Sequence, residues 1–244
     1  MKALVFAGAS ALALLVAAPA SAALQIAADI NGAGFFCSDG LGCDSSPVGN
    51  VIITNDVTLD GILFSSSSAS SGSGALNFLN ASNLLITNTN PTAVDVTITV
   101  SNTDFSSPVK SFADASSGVW QGLSGSGTAT FKWFVDPLNR QGADDAFDTP
   151  GALIDTDFSS AGGAAVLSFA HNNPLIGDAL NSPFSMTEQV TLHLAAGESI
   201  VNRGQTIISS AVVPETSTWV MMGLGFAAMT MVGVRRNKAA RFAV

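Results

Sequence analysis

Apolar and polar residues alternate along residues 94–101, with Val94, Val96, Ile98 and Val100 on one side and Asp95, Thr97, Thr99 and Ser101 on the other. A period of two predicts a strand buried on one face of a sheet whose other face is wet. Shorter runs bounded by turn residues give the same reading for 51–54, 57–64, 84–87, 128–135, 165–169, 190–194 and 206–213. Within 128–135, Ala129, Phe131, Trp133 and Val135 share a face, which places Trp133 in the core rather than at a ligand. Helical periodicity is nearly absent from residues 23–212, so this stretch is expected to be an all-β domain. The number of strands suggests two packed sheets, a β-sandwich of jelly-roll or immunoglobulin-like type. Residues 65–74 (SSSSASSGSG) offer nothing to bury and are expected to be a mobile connection. Asn172-Asn173-Pro174 is expected to form a turn.

The two ends of the chain follow a different pattern. Lys2, an apolar run over 3–18, Pro19 and the small-residue site Ala20-Ser21-Ala22 make a secretion signal, with cleavage expected between Ala22 and Ala23. At the other end, residues 219–234 are sixteen uncharged, mostly apolar residues. As a helix they span about 24 Å, slightly less than the hydrocarbon thickness of a bilayer. Arg235, Arg236, Lys238 and Arg241 follow, and such a basic end stays on the cytoplasmic side of a membrane. The chain therefore divides into a signal peptide (1–22), an exported domain (23–212) and a tail (213–244) with its membrane helix at 219–234 and basic end at 235–241.

Composition narrows what the middle can do. Residues 23–213 hold four basic residues against seventeen acidic ones, a net charge of −13. Nucleic acid is excluded as a partner, since phosphates demand a basic surface. Cys37 and Cys43, the only cysteines, enclose a short Gly-rich segment, and in an exported protein a disulfide is expected between them. No serine stands on a G-x-S-x-G turn; Gly122-Leu123-Ser124-Gly125-Ser126-Gly127 comes near but places Ser126 where the last glycine belongs. His171 and His193 read as surface residues, so no enzymatic activity is expected. Asp136, Asp144, Asp145 and Asp148 crowd one stretch with Asn139, Asp155 and Asp157, and carboxylates in a loop can hold calcium. Their spacing departs from a twelve-residue calcium loop, and a solvated acidic loop accounts for them as well. The sequon Asn80-Ala81-Ser82 is too short a motif to carry an argument.

Val213-Pro214-Glu215, followed by Ser217, Thr218 and Trp219, the apolar run and the arginines, resembles the PEP-CTERM sorting signal of Gram-negative bacteria over about the last 32 residues. Thr216 stands where the family usually has a second proline. The resemblance implies processing by an exosortase near Pro214-Glu215, transient residence in the inner membrane, and association with exopolysaccharide, biofilm or the cell surface. It implies nothing about the activity of the middle domain, for which a structural or adhesive role is expected, with a carbohydrate- or calcium-binding module and a secreted hydrolase as the alternatives.

Overall fold

The computed structural model describes residues 23–211, apart from 66, 75, 83, 123–125, 164–165 and 177–178. The expected signal peptide, the motif Val213-Pro214-Glu215 and the apolar run at 219–234 lie outside the described residues. Among the described residues there is no helix, and hence none long and apolar enough to cross a membrane.

In chain order the strands are β1 (Gln25–Ile30), β2 (Ala33–Ser38), β3 (Val51–Ile53), β4 (Val57–Leu59), β5 (Ile62–Ser65), β6 (Ser68–Gly72), β7 (Leu76–Ser82), β8 (Leu84–Asn88), β9 (Val94–Phe105), β10 (Val109–Gln121), β11 (Thr128–Asp136), β12 (Ala152–Ser160), β13 (Val166–Ile176), β14 (Phe184–Leu194) and β15 (Ser199–Ala211). They form two antiparallel sheets. One runs β12-β11-β14-β9-β1-β2, and the other places β13, β10 and β15 side by side. The far edge of β15 is shared: Gln205–Ser210 pair with β7, which leads on to β6 and β3, while Ser199–Asn202 pair with β8, which leads on to β5 and β4. Ser117 pairs with Gly204 but Gly118 with Asn202, so β15 carries one extra residue at the point where its partners change. The last eight strands pair in a nested order, β8 with β15, β9 with β14, β10 with β13 and β11 with β12, and successive pairs alternate between the sheets.

The sheets pack over one continuous core. Trp120, Trp133, Phe105, Phe112, Phe131 and Phe184 are its largest fully buried side chains, and the Phe184 ring meets Phe105 and, edge-on, Phe112, each at 5.7 Å between centroids. The all-β expectation and the core position of Trp133 are borne out.

Several local expectations are corrected. The stretch 57–64 is a hairpin rather than one strand, because Asp60 and Gly61 both have positive φ and reverse the chain between β4 and β5. Ser68–Gly72, expected to be part of a mobile connection, is strand β6, held between β3 and β7, with alternate residues buried. The small side chains suit a strand that must pack closely. Asn172-Asn173-Pro174 lies within β13 instead of a turn, since β13 is an edge strand with a register shift opposite Pro174 and Leu175, where a missing amide hydrogen is tolerated. Finally, Thr97, Thr99 and Ser101 on β9 are buried, Thr99 and Ser101 because segment 137–151 is hydrogen-bonded across them.

Candidate functional site

The outer face of the six-stranded sheet is the first place where side chains are exposed without an internal reason. One row across it reads Phe158, Thr130, Thr191, Thr97, Asp29, Gly34, and the next ends at Phe36 on β2. Segment 137–151 covers the middle: the Ala146 carbonyl accepts hydrogen bonds from Thr99 Oγ1 (2.6 Å) and Gln189 Nε2 (3.0 Å), and the Gly142 amide donates to Ser101 Oγ (3.1 Å). This seating leaves Phe147 at the surface. Phe36, Phe147 and Phe158 are 42%, 63% and 58% exposed, at one edge, over the middle and at the other edge of the same face. Six strands at their usual spacing set the two edges about 24 Å apart. Between the rings stand hydroxyls of Thr130, Thr156 and Thr191, the Lys132 amine, and an exposed cross-strand pair, His193 Nδ1 to Asp95 Oδ1 at 2.7 Å. His193 is a surface residue, as expected.

Phe158 was not legible as a surface ring because β12 is patterned inside out. Its Asp155, Asp157 and Ser159 point between the sheets, while Leu153 and Phe158 face outward. Inside, Asn173 Nδ2 of β13 donates to Asp155 Oδ2 (2.6 Å), Asp157 Oδ1 (3.0 Å) and, more weakly, Asp114 Oδ1 of β10 (3.4 Å). Ser116 Oγ donates to Asp157 Oδ2 (3.2 Å), and Trp120 Nε1 donates to Ser159 Oγ (3.0 Å). Burial, together with the charges of Asp155 and Asp157, pushes the Asp114 carboxyl up to about 7. Glu188, fully buried at the centre of β14 beside Trp133, is also raised well above its usual range, chiefly by burial. Inward-pointing carboxylates on an edge strand guard it against pairing with other chains, which accounts for Asp155 and Asp157 without a ligand. His171, half-buried on the same face of β13 as Asn173, has its ring beside Phe169.

The disulfide is present between Cys37 and Cys43. Asp44, next to it, accepts the amides of Gly40 (3.1 Å), Ser46 (2.8 Å) and Ile53 (3.0 Å). Burial works against its charge, but these three amides hold its carboxyl below the usual range.

The acidic stretch separates into two parts. Asp136, almost fully buried, accepts the amides of Leu138 and Arg140 (each 3.1 Å) and the Arg140 Nε (2.7 Å), which together outweigh burial and lower its pKa. Asp144 and Asp145 are exposed, Asp145 Oδ1 accepts the Phe147 amide (2.7 Å), and Asp148 is raised by burial and then by the charges of both. Asn139 lies elsewhere, bonded to Asp104. Among the described residues no three His, Cys, Asp or Glu side chains are set to hold a metal ion.

Fold and surface together define a two-sheet β-sandwich with exposed aromatic rings on one sheet face. No family model matches the sequence, and no curated protein matches it. Among solved structures, a carbohydrate-binding module in complex with β-1,4-galactotriose overlaps 57% of this chain and 85% of its own at 9% identity, with a TM-score of 0.32. A carbohydrate-binding module described for specific mannan recognition overlaps 66% and 99% at 10% identity, TM-score 0.29. The structure of infectious bursal disease virus, Gx strain, overlaps 87% of this chain, which spans about half (54%) of the viral one, at 11% identity and a TM-score of 0.36. At such scores neither the ligands of those modules nor the role of the viral protein transfers to this chain.

Proposed function

We propose that this chain is an exported, non-catalytic surface protein whose jelly-roll sandwich adheres to neutral polysaccharide through the outer face of the six-stranded sheet. The observation that carries the reading is the spread of three exposed rings, Phe36, Phe147 and Phe158, across one face among threonine hydroxyls. The C–H face of a sugar ring stacks on an aromatic face, and its equatorial hydroxyls need polar groups at the margin, which this surface supplies. Rings set over about 24 Å suit a polymer better than a single sugar. A net charge of −13 over residues 23–213 disfavours acidic polymers. The jelly-roll reading rests on the nested strand pairing, and export rests on the signal at 1–22 and the tail at 213–244.

Retention of the purified full chain in gels containing neutral β-glucan, galactan or mannan tests this proposal. At least one polymer is expected to retard the parent, and each of Phe36→Ala, Phe147→Ala and Phe158→Ala to weaken retention about fivefold, the equivalent of roughly 1 kcal/mol per ring contact. A triple variant retarded as strongly as the parent would overturn the reading.

A further inference from the structure

A cleft of about 270 Å³ opens between β6 of one sheet and the end of β9 of the other, away from the aromatic face. Asn102 forms its buried back wall. Its Nδ2 donates to Ser71 Oγ (2.6 Å) and Asn50 Oδ1 (3.3 Å), while its Oδ1 accepts the Thr103 amide (2.9 Å). These bonds fix what the neighbours have left to offer. Ser71, having accepted from Asn102, keeps its own hydroxyl proton to donate, and Asn50, its oxygen taken, keeps its NH2 group. Across the cleft, Asn139 grips Asp104 twice, its Oδ1 accepting the Asp104 amide (2.8 Å) and its Nδ2 donating to Asp104 Oδ1 (2.5 Å). The second carboxylate oxygen of Asp104 remains as an acceptor.

The rim is held from behind. Asn50 donates its amide to Asp39 Oδ2 (2.6 Å) in the loop closed by Cys37 and Cys43, and its carbonyl accepts the Ser71 amide (3.0 Å). Asn50 and Asp104 both have left-handed backbone, φ 60° and 58°, as does Asn139 at 55°. Glycine would relax each of these positions, yet each carries a polar side chain that lines the cleft or holds a residue that does.

We propose that this cleft is a binding site for a single uncharged sugar ring. Donors from Ser71 and Asn50 opposite an acceptor on Asp104 match neighbouring hydroxyls, each of which both gives and takes a hydrogen bond. Among the described residues no basic side chain lines the cleft to hold an anion, and the one carboxylate there, half engaged by Asn139, falls far short of the six to eight oxygens a calcium ion takes. The volume lies just below the roughly 300 Å³ at which pockets begin to take drug-sized ligands, which suits one ring. This inference is independent of the outer-face reading.

Ligand-observed NMR on the full chain with D-glucose, D-galactose and D-mannose as probes decides it. At least one is expected to bind saturably in the millimolar range, and Asn50→Gly and Asp104→Asn, which keep the left-handed backbone, to weaken that sugar about fivefold with the melting curve unchanged. The triple phenylalanine variant is expected to bind the same sugar as the parent does. Three sugars that do not bind, or a sugar held equally well by both cleft variants, overturn the inference and leave polymer retention untouched. Loss of sugar binding in the triple phenylalanine variant overturns it too, by moving the sugar to the outer face.

Discussion

Asp114 is 2% exposed, shares the space between β10 and β12 with Asp155 and Asp157, and has a carboxyl raised to about 7. The folded protein therefore keeps a proton that the unfolded chain gives up near the ordinary carboxylate range. Its contribution to stability is complete below about pH 4 and is lost as the pH rises through about 7. Urea unfolding across that window should show the parent losing stability with rising pH more steeply than Asp114→Asn, which cannot titrate; parallel profiles would contradict the shift. Such a residue is hard to find in a sequence. Trp133 was legible because Ala129, Phe131 and Val135 alternate with it, whereas the inward face of β10 reads Phe112, Asp114, Ser116, Gly118, Trp120 and breaks the apolar rhythm halfway. Asp104 and Asn139 were hidden for another reason: they lie 35 residues apart, and only the seating of segment 137–151 joins them.

At the scale of elements, turn chemistry predicts more than hydrophobic period does. The Asn31-Gly32 and Asp60-Gly61 pairs, all with positive φ, join β1 to β2 and β4 to β5 as two-residue hairpins, and both dipeptides stand in plain view in the chain. Strand β6, of serine, alanine and glycine, carries no such signal, and only its neighbours make it a strand. The start of β12 depends on Gly151, with φ 92° and no room for a Cβ against the Val135 carbonyl oxygen. Gly151→Ala is expected to cost roughly 2–3 kcal/mol, from a strained backbone and a contact that only backbone movement can relieve, read as a lower denaturant midpoint. Replacing both Cys37 and Cys43 with serine should cost about 2 kcal/mol by the chain-entropy account of a short loop. It should also weaken sugar binding in the cleft, because Asp39 would no longer hold Asn50 as firmly.

For the whole molecule, the all-β character and the pairing of the cysteines could be read from the sequence, while the order of the strands could not. Alternation says which face a residue takes but is silent on which strand lies beside it, and here partners stand as far apart as β8 and β15. The tail at 213–244 makes a prediction of its own scale. If an exosortase removes it, Pro214→Ala with Glu215→Ala should accumulate a longer species in the membrane fraction of the producing cell, detected by mass spectrometry of the C-terminal peptide. Surface protein that still carries residues 219–244 would show a permanent anchor instead.

Nested pairing also sets an order in time. The β11–β12 hairpin joins strands nearest in sequence, and each pair outside it closes a longer loop, so assembly can spread outward from that hairpin and reach β8–β15 last. Among the described strands β15 is the last to be synthesised, and it is the one against which β10, β7 and β8 all complete their hydrogen bonds. Until Ser199–Ala211 is in place, three strand edges lie open at once, so the sandwich stays unfinished, and exposed to pairing with other chains, until β15 docks.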